Sequence, residues 1–273
     1  MPRPVLEQLR QTLQESTRAR AAAPQRKAVA GLYAITPESV GSKGNQGNEG
    51  NQHGSSEDNE HGGKGRDGSS GRNRNDDRSG AAGQDTARLL IAVRAAVEGG
   101  ARVVQYRNKH AAATKRLEHA IGLAAVCAKF GALFIVNDDV ELALEVDADG
   151  VHLGKSDGDI AKARKRLGPQ RLLGASCYND LALAQAAHAA GVDHIAFGSM
   201  FASGTKPGAV RAPLSLFAQA QSLNLPMVAI GGITAANAGE VIAAGASAVA
   251  VISDLFDAPD IGARAAQIAA LFP

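Results

Sequence analysis

Eight short runs of β-branched and apolar residues recur along this chain, with Ala-rich helical patterns between them. The runs are Leu32–Thr36, Val103–Tyr106, Leu133–Val136, Gly150–Leu153, Leu172–Ala175, His194–Phe197, Met227–Ile230 and Ala248–Ile252. Strands joined through helix-length crossovers pair in parallel, and parallel strands are buried on both faces. Several runs are entered through small residues, as at Gly99-Gly100-Ala101, Gly131-Ala132, Ala148-Asp149, Gly191-Val192-Asp193 and Gly245-Ala246. Glycine just past a helix ends it in the left-handed conformation before the next strand begins. Eight nearly equal α/β units with no reversal point predict a single closed (β/α)8 TIM barrel. A doubly wound open sheet is the runner-up.

Two stretches stand outside this pattern. Residues 1–30 read as an N-terminal helical arm, opened by Pro4 and carrying Leu6, Leu9 and Leu13 against an end or flank of the domain. The barrel then occupies 31–273 and is interrupted at 38–85, where the only apolar residues are Val40, Ala81 and Ala82. Such a segment cannot bury enough surface to offset its ordering entropy, so a disordered insert is expected there. The first barrel helix is expected at Thr86–Glu98.

Composition narrows the partners. A net charge of +2 gives no general attraction to nucleic acid. No apolar run approaches the roughly 18 residues of a membrane span. Cys127 and Cys177 make no disulfide framework, and with no apolar secretory core at the N-terminus a cytoplasmic setting is expected. A homo-oligomer is compatible with the pattern.

Barrel chemistry comes from residues just after the strand ends, and polar residues gather there. Arg107 and Lys109, two apart on an extended backbone, turn to one side and suit phosphate oxygens. Asp138 and Asp157 follow different strands yet share one rim, a sparse acid set that suits Mg²⁺. Asn137 is placed to orient a polar substrate group, and Asp139 reads as a helix cap. His152 has no companion ligands and reads as packed or hydrogen-bonded beneath the site, while Ser176 reads as a hydrogen-bond donor. The loop Phe201–Ala209, with Lys206, resembles a lid for an anionic ligand. Gly231 and Gly232 after the seventh strand, with Ser253 after the eighth, fit a second phosphate site.

The ordered motifs GLYAIT, VQYRNK, IVNDDVELAL, ADGVHLGKSD, LLGAS, IAFGSMFASGTKPGA, VAIGGIT and AVAVIS resemble the thiamine-phosphate synthase family. The resemblance covers nearly all of the barrel and omits the arm and the insert. It implies a transferase of thiamine biosynthesis that joins an aminopyrimidine diphosphate to a thiazole (or carboxythiazole) phosphate and releases pyrophosphate with Mg²⁺. It implies that Gln105, Tyr106, Arg107, Asn108, Lys109, Asn137, Ser176 and Lys206 hold the pyrimidine diphosphate. Arg107, Lys109 and Lys206 would act in catalysis. Asp138 and Asp157 would bind the metal, and Ser203, Gly204, Thr205, Gly232, Ile252 and Ser253 the thiazole phosphate. Asn108 departs from the family's usual Glu, Lys155 from Gln, and Ser203-Gly204 from Thr-Pro. The alternatives are a thiazole tautomerase-like isomerase, which needs only the late-strand phosphate site, and a non-catalytic barrel that binds thiamine precursors.

Overall fold

The computed structural model describes residues 11, 12, 14, 29–40, 74–202 and 210–273. Its elements alternate from β1 (Gly31–Ile35) and α1 (Arg74–Glu98) through β2 (Val103–Tyr106), α2 (Ala113–Phe130), β3 (Leu133–Asn137) and α3 (Val140–Glu145). They continue through β4 (Gly150–Leu153), α4 (Ile160–Leu167), β5 (Leu172–Tyr178), α5 (Leu181–Ala189), β6 (His194–Phe197) and α6 (Ser215–Ala220). The last are β7 (Met227–Ile230), α7 (Ala238–Ala243), β8 (Ala248–Val251), α8 (Ser253–Phe256) and α9 (Ile261–Ala269). All eight strands pair in parallel in chain order, and β8 closes on β1 with Gly31 opposite Ala248. The closed barrel therefore stands and the open sheet falls.

Strand side chains alternate between two cores, as a period of two requires. Leu32, Val104, Phe134, Val151, Leu173, Ile195 and Val249 face the helices. Tyr33, Val103, Ile135, Leu172, Ala196 and Val228 fill the barrel interior. The small-residue entries to the strands also have a polar job. Asp149 accepts the Phe134 N–H at 2.7 Å, Asp193 the Leu173 N–H at 2.8 Å, and Ser247 the Met227 N–H at 3.3 Å. The residue before one strand thus holds the beginning of its neighbour.

Of the expected arm, residues 1–30, Gln11, Thr12 and Gln14 are helical, whereas Val29 and Ala30 are not and lead into β1, with Val29 buried in the barrel interior. Its other residues, including Leu6, Leu9 and Leu13, lie outside the described residues, as do 41–73 of the 38–85 insert. Helix α1 begins at Arg74 instead of Thr86, so 74–85 is helical where disorder was expected. The apolar pattern starts only near Leu89 and could not show this. Ala81 and Ala82, two of the three apolar residues of 38–85, are good helix formers.

Candidate active site

The C-terminal rim of the barrel is built from four successive strand exits. Strand β1 ends in the buried Thr36, whose hydroxyl accepts the Arg107 N–H at 2.9 Å. This fixes the backbone from which the Arg107 side chain leaves. Two residues on, the Lys109 ammonium lies 3.1 Å from an Asp138 oxygen. Asp138 itself adopts a left-handed backbone with φ 64° just past β3. That conformation costs an ordinary L-residue about 1–2 kcal/mol, and Asp tolerates it better than most. It turns the chain sharply, so that neighbouring acids part company. Asp139 caps α3, accepting the Leu142 N–H at 2.9 Å, and pairs with Arg116. Asp138 is left for the mouth.

Asp157 arrives from the loop after β4 and hydrogen-bonds the Asp138 carboxyl. It is held by the Gly154 N–H at 2.9 Å and by the Ser156 hydroxyl at 3.3 Å. Burial, then the bond to Asp157, raises the affinity of Asp138 for its proton, against the pull of Lys109. Burial pushes Asp157 the same way, but bonds from Asp138 and the Gly154 N–H outweigh it and hold Asp157 low. The two carboxyls thus titrate apart, as neighbouring acids do. A divalent cation between them would offset their mutual repulsion. Two carboxylates, with no group of three or more His, Cys, Asp or Glu among the described residues, fit Mg²⁺. Such an ion keeps several waters and takes substrate phosphate oxygens.

Beneath the rim lies a polar interior. Gln105 is 4% exposed and donates to the Tyr33 hydroxyl at 2.8 Å. Ser176 Oγ stands 2.9 Å from His152 Nε2, and His152 Nδ1 stands 3.3 Å from His194 Nε2. Burial lowers the His152 imidazole to about 4, so it is neutral near pH 7. The sequence reading of His152 as a hydrogen-bonded histidine under the site agrees with this.

The opposite side of the mouth is shaped by backbone. Gly231 and Gly232 have φ of 99° and 66°. A Cβ on Gly232 would lie 2.5 Å from the Ala202 carbonyl oxygen and 2.7 Å from that of Phe201. Asn237 donates to the Gly232 carbonyl at 3.0 Å, and Asp254 accepts the Ala235 N–H at 3.0 Å. The glycine loop is thereby tied to α8, whose first residue is Ser253. Ile252 is half-buried against the barrel interior just below.

A family model described as thiamine monophosphate synthase matches residues 80–255. The thiamine-phosphate synthase of Chromobacterium violaceum is 56% identical over 190 residues, spanning 70% of this chain and 92% of that protein. The chain belongs to the thiamine-phosphate synthase family. The thiamine-phosphate synthase of Aromatoleum aromaticum is 55% identical over 189 residues, 69% of this chain and 91% of its own. Among solved structures, thiamine phosphate pyrophosphorylase from Pyrococcus furiosus superposes with a TM-score of 0.62 at 36% identity. That match covers 67% of this chain and 88% of the Pyrococcus one. A 3-hexulose-6-phosphate synthase superposes at 0.52 with 19% identity, a likeness of fold alone.

Against the positions that the thiamine-phosphate synthase resemblance implied, the structure gathers Gln105, Arg107, Lys109, Asn137, Asp138, Asp157 and Ser176 around one end of β2–β5. Tyr106 is a correction. It is 2% exposed, in the outer core, with its hydroxyl 3.1 Å from His119 Nδ1. As the next residue on a strand after Gln105 it must face the helices, so its side chain is closed to substrate. Asn108 has a structural task as well. Its Oδ1 accepts the His110 and Ala111 N–H groups at 3.1 and 2.9 Å, so it shapes the turn between Arg107 and α2. Ser203, Gly204, Thr205 and Lys206 lie outside the described residues. Glu38 was missed, having been counted with the insert. Its carboxylate lies 3.3 Å from Arg107 and 3.4 Å from His110. No apolar pattern marks it; only its place two residues after Thr36 could have.

Proposed function

We propose that this chain condenses 4-amino-2-methyl-5-(diphosphooxymethyl)pyrimidine with a thiazole phosphate, giving thiamine phosphate and pyrophosphate, as a cytoplasmic enzyme that uses Mg²⁺. The observation that carries this is the meeting of Arg107, Lys109, Asp138 and Asp157 on one rim. Cations beside a two-carboxylate cradle suit a diphosphate held partly through metal. The isomerase alternative would leave that cradle without a use.

In the reaction the carbon–oxygen bond to the diphosphate breaks, and its electron pair leaves with pyrophosphate. The thiazole nitrogen lone pair then forms the new bond to the pyrimidine methylene. Arg107, Lys109 and Ser176 bind the departing oxygens, with Lys206, and Asn137 orients the pyrimidine end. Asp138 and Asp157 would hold Mg²⁺, which would supply positive charge beside the leaving group. The Gly231-Gly232 loop, Ser253 and Ile252, with Ser203–Thr205, hold the thiazole phosphate so that its nitrogen meets the carbon. Positioning and charge stabilisation supply the rate, and no protein nucleophile is required.

Glu38 opposes this anion site. Its carboxylate occupies an Arg107 N–H that a phosphate oxygen would use, so substrate must displace it. The two side chains are 39% and 32% exposed, a setting in which an ion pair is worth about 0–1 kcal/mol. Glu38→Gln is therefore expected to lower KM for the pyrimidine diphosphate by about 2–5-fold with kcat little changed. Steady-state kinetics would check it, and a raised KM would mean that Glu38 assists binding. The reading as a whole is tested by pyrophosphate release, which must require both substrates together. Turnover of the thiazole phosphate alone would point to the isomerase.

A further inference from the structure

Three neighbouring strands place a line of polar groups from the mouth into the barrel. His152 on β4 is in register with Gly174 on β5, which is in register with His194 on β6. Ser176 lies two residues further toward the mouth on β5. The two imidazoles meet across the space that Gly174 leaves. A Cβ there would sit 2.1 Å from His194 Nε2 and 2.5 Å from His152 Nδ1, the two atoms that hydrogen-bond to each other. A side chain in the middle of this layer would abolish the contact, so the absence of one is what permits it.

We propose that His152 and His194 are positioning residues that, with anion bound, both carry their proton on Nε2, so that His194 donates to His152, His152 donates to Ser176 Oγ, and Ser176 donates its own proton into the mouth. This rests on the reading of Ser176 as a diphosphate ligand. A neutral imidazole has one N–H and one bare nitrogen, so the chain of bonds can run in only two senses. In the opposite sense Ser176 spends its only proton on His152 and shows lone pairs to an anion. In the proposed sense that proton is free for a phosphate oxygen. His194 Nδ1 has no hydrogen-bond partner among the described residues in either sense, so the inner end does not decide. The anion decides.

Both rings are buried, and burial keeps each of them neutral near pH 7, the condition the relay needs. A doubly protonated ring could not accept from its neighbour. His194 acts on Ser176 only through His152. Its contribution is to fill the His152 Nδ1 lone pair and so hold the proton of His152 on the far nitrogen, toward Ser176.

The test uses the full-length protein labelled with ¹⁵N-histidine, saturated with Mg²⁺ and inorganic pyrophosphate. Ring ¹⁵N shifts are expected to show protonated Nε2 and bare Nδ1 on both His152 and His194, and a proton on His152 Nδ1 would overturn the relay. In kinetics, His194→Leu is expected to raise KM for the pyrimidine diphosphate by about 5–10-fold, the scale of one hydrogen bond, and His194→Gln, which keeps an N–H, to recover most of it. Equal KM values for Leu and Gln would count against it, and the wild-type spectrum decides if the Leu variant does not fold. Ser176→Ala separates the relay from the site reading. An unchanged KM in that variant would overturn the placement of Ser176 on the diphosphate, whatever the tautomers.

Discussion

Asp138→Asn is expected to lower kcat by about 10²–10³-fold while leaving the melting temperature close to that of the parent chain. Asparagine keeps the shape of the side chain and tolerates the left-handed backbone that residue 138 adopts at φ 64°. What it loses is the charge. In a site of two carboxylates, that halves the anionic donors available to a cation, and Lys109 at 3.1 Å is left without its partner. Raising Mg²⁺ should recover part of the rate, because weakened binding yields to mass action. Steady-state turnover against Mg²⁺ concentration, beside a thermal melt, measures both effects. Full activity in Asp138→Asn at low Mg²⁺ would remove Asp138 from the metal site.

Gly232→Val is expected to damage the other half of the mouth. A β-branched residue at φ 66° is strained by about 1–3 kcal/mol. Its Cβ would also press on two backbone carbonyls, at 2.5 and 2.7 Å, and backbone yields less readily than a side chain. The loop after β7 must then move away from the β6 exit, and the phosphate pocket with it. The expected result is a KM for the thiazole phosphate raised about 10–100-fold, with KM for the pyrimidine diphosphate changed far less. Kinetics with each substrate varied in turn would check the asymmetry. Equal damage to both substrates would point to a general loss of fold instead.

The barrel was legible because its signal is local and repeated: eight apolar runs, each followed by polar residues at the exit. The meeting of Asp138 and Asp157 was legible for the same reason, since parallel strands bring their ends to one rim. What escaped the sequence reading depends on which way a residue points or on what lies opposite. Tyr106 sits in the VQYRNK motif, yet strand alternation turns it to the helices and His119. Asn108 is polar and beside Arg107, and its Oδ1 also holds the turn that follows. Glu38 belonged by composition to the insert but by contact to Arg107. The start of α1 at Arg74 precedes any apolar pattern, which begins only near Leu89. Gly174 had no visible role until the register set it between two histidines.

In the proposed reaction this rim holds a diphosphate leaving group for attack by a thiazole nitrogen. The most direct measurement is pyrophosphate and thiamine phosphate formed together, with the pyrimidine diphosphate, the thiazole phosphate and Mg²⁺ each omitted in turn. The two products are expected one for one, with loss of both when any component is withheld. Saturable binding of both substrates without pyrophosphate release would contradict it.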